Sequence, residues 1–169
     1  MTEQIDLWSV AFSIVSNREE MTMSDAVNCL NGLLRGEISA VETYGQALKN
    51  LSDPSVTKTL CENQACHLKR VAKLQDRIAV MGGKPSTGSG AWGSFAKFLE
   101  GSAAAMGDKP SIDMLEEGED HGLQAYRDEA EKCDCGETRT FINSELLPAQ
   151  EKTHEAASFL KRLVHSANA

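Results

Sequence analysis

Six ligand-capable side chains fall on otherwise apolar helical stripes of this 169-residue chain: Glu37, Gln64, His67, Glu119, Glu151 and His154. Core positions of a helical bundle recur in alternating steps of four and three. On that spacing Leu30, Leu34, Glu37, Val41, Tyr44, Leu48 and Leu51 form one seam, and Leu60, Gln64, His67, Val71, Leu74 and Ile78 a second. Ile112, Leu115, Glu119, Gly122 and Tyr126 form a third, and Leu147, Glu151, His154 and Ala157 a fourth. An ionised carboxylate in a dry core is costly unless it is paired or bound to a metal. Residues three apart on a helix share a face, so Glu-x-x-His can offer an oxygen and a nitrogen to one ion. A lone Glu from each of the other two helices could bridge two ions. Carboxylate with imidazole suits iron or manganese, with zinc as a substitute. The expected cofactor is therefore one or two such ions per chain. Tyr44 and Tyr126, two turns beyond Glu37 and Glu119, could hydrogen-bond the opposing carboxylates.

The pattern repeats within the chain. Leu33-x-x-Gly36-Glu37-x6-Tyr44 matches Leu115-x-x-Gly118-Glu119-x6-Tyr126, and Leu60-x3-Gln64-x2-His67 matches Leu147-x3-Glu151-x2-His154. Two helix pairs related by a pseudo-two-fold axis follow from this, an arrangement suited to two ions sharing ligands.

Four long helices are expected to carry these residues, over about 25–51, 55–81, 111–133 and 137–166. Thr22 to Asp25 offers capping residues for the first, Ser52-Asp53-Pro54 separates the first two, and Gly82-Gly83 ends the second. Pro148 should kink the fourth or mark its true start. The first and last connections are short, as antiparallel neighbours require, whereas residues 82–110 form a long Gly-, Ser- and Pro-rich crossover. Within it, Trp92 to Met106 could form a short helix. Residues 1–24, with Ile5, Leu7, Trp8, Val10, Phe12, Ile14 and Val15, read as a packing segment ahead of a bundle over 25–169. That apolar segment fits a homodimer or small homo-oligomer.

With 17 basic against 25 acidic side chains and a net charge of −8, the chain is not expected to bind nucleic acid or an anionic membrane surface. It has no run of 18 apolar residues and no basic secretory start, which reads as a cytoplasmic protein. Lys69, Arg70, Lys73 and Arg77 read as a basic stretch on the second helix, ion-paired with acidic neighbours and not a nucleic-acid site. Five cysteines at irregular spacing read as reduced thiols, with Cys133-Asp134-Cys135 as a C-x-C pair beside Gly136.

Glu37 with Tyr44, Glu119 with Tyr126, and Glu151 with His154 together resemble the ferritin-like superfamily of di-iron carboxylate proteins. The chain is similar overall to a bacterial ferritin-like family without an assigned function, chiefly over Gln75 to Pro85 and Glu116 to Tyr126. The resemblance implies an all-α, ferritin-like four-helix bundle with a long crossover between its second and third helices. It implies metal ligation by Glu37, Gln64, His67, Glu119, Glu151 and His154, with oxygen- or peroxide-dependent oxidation of Fe(II) if the ion is iron. The departure is Gln64, which stands where the superfamily has Glu and brings no charge. Two divalent ions would then face only three carboxylates. The alternative this motivates is a non-catalytic stress or assembly bundle with a degenerate, metal-free centre.

Overall fold

The computed structural model of the chain describes residues 7–49, 51, 53–90 and 108–166, with side chains described from residue 22 onward. Every regular element among the described residues is helical: α1 (Leu7–Ala47), α2 (Pro54–Val80), α3 (Asp108–Lys132), α4 (Gly136–Phe141), a π-helical turn (Ile142–Leu146) and α5 (Leu147–Ser166). No helix among these residues is long and apolar enough to cross a membrane. The apolar residues before Thr22 and the short helix expected over Trp92 to Met106 lie outside the described side chains.

Local chemistry accounts for the ends. α1 runs unbroken through Thr22–Asp25, where a new start was expected, because no Gly or Pro occurs between Leu7 and Asn31 to stop it. At the start of α2, Asp53 Oδ1 accepts from the amides of Ser55 (2.8 Å) and Val56 (3.4 Å), and Pro54 takes the first helical position. At its end Gly82 turns left-handed (φ 73°), and the Gly83 amide donates back to Ile78 O at 2.9 Å. Gly83 then lies so close to α1 that a Cβ there would sit 2.6 Å from Val27 Cγ1. Pro148 falls in the first turn of α5, marking its start as expected. The turn before it widens into the π form, with the Leu147 amide donating to Ile142 O, which makes room for a ring that lacks an N–H.

Four helices close into a ring, each antiparallel to both neighbours. Glu37 and Tyr44 of α1 meet Arg70 and Asn63 of α2 on one side and Tyr126 and Glu119 of α3 on the other. α5 completes the ring, pairing Thr153 with Glu119 and with Asn63. α2 and α3 are thus diagonal and parallel, so the chain must return along the bundle between them. It begins that return along α1: Asn31 bonds Lys84 O and the Ser86 amide, and Ser89 donates to Glu42 at 2.8 Å.

Two apolar clusters fill the interior. One holds Leu33, Leu34, Leu74, Ile78, Ile142 and Leu146, and the other Val56, Leu60, Ile112, Leu115 and Leu160. Burying each such side chain contributes about 1.5–3 kcal/mol. Between the clusters lies a layer of buried polar side chains drawn from all four helices.

Candidate functional site

Two carboxylates anchor the polar layer. Glu37 and Glu119 are 3% and 2% exposed. Each sits seven residues before a tyrosine on its own helix, and antiparallel packing of α1 against α3 crosses the pairs. Tyr44 donates to Glu119 Oε1 at 2.6 Å, and Tyr126 donates to Glu37 Oε1 at 2.8 Å. The first internal repeat is therefore realised as a two-fold-like exchange of hydrogen bonds.

His67 of α2 lies between the two acids. Its Nδ1 is 2.9 Å from Glu37 Oε2 and its Nε2 is 2.9 Å from Glu119 Oε1. With a carboxylate oxygen beside each nitrogen, the ring is placed to donate to both acids as an imidazolium. Burial acts to lower its pKa, but the charge of Glu37 and hydrogen bonds to both acids raise it above the ordinary histidine value. The same contacts work in the other direction on the acids. Burial acts to raise Glu37, yet His67 and then Arg70 hold it below the usual carboxylate range. Glu119 is likewise held down against burial, chiefly by His67. Burial and the neighbouring carboxylates push both tyrosines up, so they stay protonated donors.

Arg70, one helical turn beyond His67, is only 1% exposed. Its Nε donates to Glu37 Oε1 at 2.8 Å and its Nη2 to Gln150 Oε1 at 2.7 Å. Nη2 also lies 2.7 Å from His67 Nδ1. Glu119 Oε2 is filled by Gln150 Nε2 (2.8 Å) and Thr153 Oγ1 (2.9 Å). Asn63 donates to the Tyr44 hydroxyl and to Thr153 O. Two carboxylates thus face one guanidinium and one imidazolium, and the layer carries no net charge.

Of the six residues expected to converge, Glu37, His67 and Glu119 do. Gln64, Glu151 and His154 do not. Gln64 turns back to α1 and donates to Val41 O at 3.0 Å. Glu151 is half-exposed, 3.7 Å from Arg127, and His154 pairs with Asp120 at 2.6 Å near the surface. Each of the three lies one residue past the position that points inward. Asn63 takes the place expected of Gln64, while Gln150 and Thr153 take those of Glu151 and His154. Arg70, expected to pair with acidic neighbours, does so as the fifth inward residue of α2. A seam of Leu60, Asn63, His67, Arg70 and Leu74 also steps by three and four, so spacing did not separate it from the expected one.

These donors do not fit a two-ion centre. Among the described residues the polar layer offers one imidazole and two carboxylates, and every acid oxygen already accepts a hydrogen bond. A guanidinium 2.8 Å from Glu37 would repel a divalent neighbour. Among the described residues no group of three or more His, Cys, Asp or Glu is arranged to hold a metal ion.

A cavity of about 280 Å³ leads to this layer between α1 and α3. Small residues on both helices, Gly36 and Ala40 on one and Gly118 and Gly122 on the other, leave it open, and Glu37 and Glu119 lie at its floor. Gly122 also has a steric duty, since a Cβ there would stand 2.8 Å from Gln150 Nε2.

Residues 25–132 match the family model described as a domain of unknown function, DUF2383. No curated protein matches the chain. In fold the chain is similar to the crystal structure of a conserved hypothetical protein, Rv2844, from Mycobacterium tuberculosis. The TM-score is 0.64 at 17% identity, over 82% of this chain and 97% of that one.

Proposed function

The chain belongs to the DUF2383 family, and we propose that it is a metal-independent helical bundle of ferritin-like architecture whose centre is neutralised by its own side chains. It works as a non-enzymatic stress or assembly module, not as an iron oxidase. Arg70 carries this reading. It is buried to 1% exposure between Glu37 and Gln150, and it supplies from the protein the positive charge that a metal would otherwise bring. A divalent ion would have to displace that guanidinium and strip a proton from His67. The ferritin-like architecture is supported by the antiparallel ring, the long second connection and the crossed Glu–Tyr pairs.

One observation favours metal binding as a second reading: the cavity between α1 and α3 leads to Glu37, His67 and Glu119 together. Metal analysis separates the two. Protein purified without chelator, and the same protein after anaerobic addition of Fe(II), should hold fewer than about one ion per ten chains and melt at one temperature. One or two ions per chain, with a melting temperature that rises with Fe(II) concentration, would overturn the metal-free reading.

A further inference from the structure

We infer that the cavity between α1 and α3 is a binding site for a small, uncharged aromatic molecule with one hydrogen-bond donor, held against Glu37 at its floor. This rests on the self-neutralised layer proposed above and adds to it the class of ligand the bundle takes. The cavity measures about 280 Å³. Apolar protein cavities of roughly 150 Å³ already take up benzene, so this one has room for two fused rings. Gly36 lines it, and a Cβ built there meets no atom within 4 Å. Leu33, Leu115, Tyr44 and Tyr126, all buried, give it aliphatic and aromatic walls. Aromatic rings attract one another beyond the area they bury, which favours a ring between the tyrosines.

The floor sets the polar requirement. Each carboxylate oxygen can accept two hydrogen bonds. Glu37 Oε1 takes Arg70 and Tyr126, Glu119 Oε1 takes His67 and Tyr44, and Glu119 Oε2 takes Gln150 and Thr153. Among the described residues Glu37 Oε2 meets His67 alone, at 2.9 Å, and so keeps one accepting position. Thr43, also on the wall, spends its hydroxyl on Ser39 O at 2.8 Å. An ordered buried water needs about two to four polar partners, more than this floor has to spare. A molecule with an apolar body and a single N–H or O–H displaces such poorly held water and gains affinity. The same balance excludes charge. Glu37 and Glu119 already face Arg70 and His67, so an ion brought into the cavity would lose its water without gaining a counter-charge.

Indole, with two fused rings and one N–H, is the probe. Titration calorimetry of the full chain in EDTA should show one saturable site with Kd below about 1 mM. Indole should also shift the ring resonances of Tyr44 and Tyr126, the two tyrosines of the chain, which locates the site without a variant. 1-Methylindole keeps the rings but cannot donate, and should bind at least about fivefold more weakly. Gly36→Leu puts a side chain into open space in the cavity and should weaken indole at least about tenfold. Far-UV circular dichroism confirms that this variant folds. Because EDTA removes free metal, ions bound in the Fe(II) experiment would overturn the metal-free reading and leave this titration standing. No saturable heat up to about 5 mM indole, unshifted tyrosine resonances, equal affinity for 1-methylindole, or undiminished binding to folded Gly36→Leu would overturn the inferred site.

Discussion

Replacing Arg70 with methionine removes the fixed cation of the polar layer while keeping most of its packing volume. Glu37 then keeps His67 and Tyr126 but loses the guanidinium 2.8 Å away, and Gln150 Oε1 loses its donor. Breaking a buried, hydrogen-bonded ion pair from one side costs about 3–5 kcal/mol, because the remaining charge stays buried. For a chain of this size each kcal/mol is worth about 2–4 °C, so the melting temperature should fall by about 6–20 °C. The surface pair Lys73–Glu145 provides the control. Both partners are about half-exposed, so Lys73→Met should cost no more than about 1 kcal/mol. Adding Glu37→Gln to Arg70→Met removes the stranded charge, and the double variant should recover at least about 2 kcal/mol relative to the sum of the single losses. Urea unfolding at neutral pH, followed by circular dichroism, measures the wild type, Arg70→Met, Glu37→Gln, their double variant and Lys73→Met. A loss below about 1 kcal/mol for Arg70→Met, or additivity within about 0.5 kcal/mol in the cycle, would refute the self-neutralised centre.

Other measurements probe the same layer. Nitrogen-15 spectra should find both ring nitrogens of His67 protonated at pH 7, and a neutral ring there would contradict the two-carboxylate geometry. Because His67 is raised above its ordinary 6.5, its contribution to stability is full below that pH and is lost as pH rises through the folded value. Because Glu37 and Glu119 are lowered from 4.5, their contribution is present above that pH and is lost as pH falls through their folded values. Urea midpoints should therefore peak between about pH 4.5 and 6.5, and His67→Gln should flatten the alkaline slope. Gly122→Ala should cost about 1–3 kcal/mol by pushing Gln150 off Glu119, whereas Gly36→Ala, with open space around its Cβ, should be neutral or stabilising by up to about 1 kcal/mol. Glu151→Ala should change thermal stability by less than about 0.5 kcal/mol, whereas Glu119→Ala, which leaves His67, Tyr44 and Gln150 without their acceptor, should cost several times more.

Helix type, the long second connection, the acids on α1 and α3 and their tyrosines were all legible in the residues. Apolar periodicity and the Asp53-Pro54 and Gly82-Gly83 punctuation determine them locally, and the seven-residue Glu–Tyr spacing needs only a straight helix. The inward face of α2 was not legible between two choices. After Leu60 a step of three and a step of four both return to His67, so Asn63 and Gln64 were equivalent by counting, as were Arg70 and Val71. Packing against α1 and α5 resolved it, because Glu37 and Gln150 stand where the arginine can reach both. From the π turn into α5 the buried row runs Ile142, Leu146, Gln150, Thr153 and Ala157, which leaves Glu151 and His154 one step outside. Sequence alone thus determines which helices exist and where their acids lie. Only the folded bundle decides which cation meets those acids, because that depends on helix rotation, and rotation is set by contacts among all four helices at once.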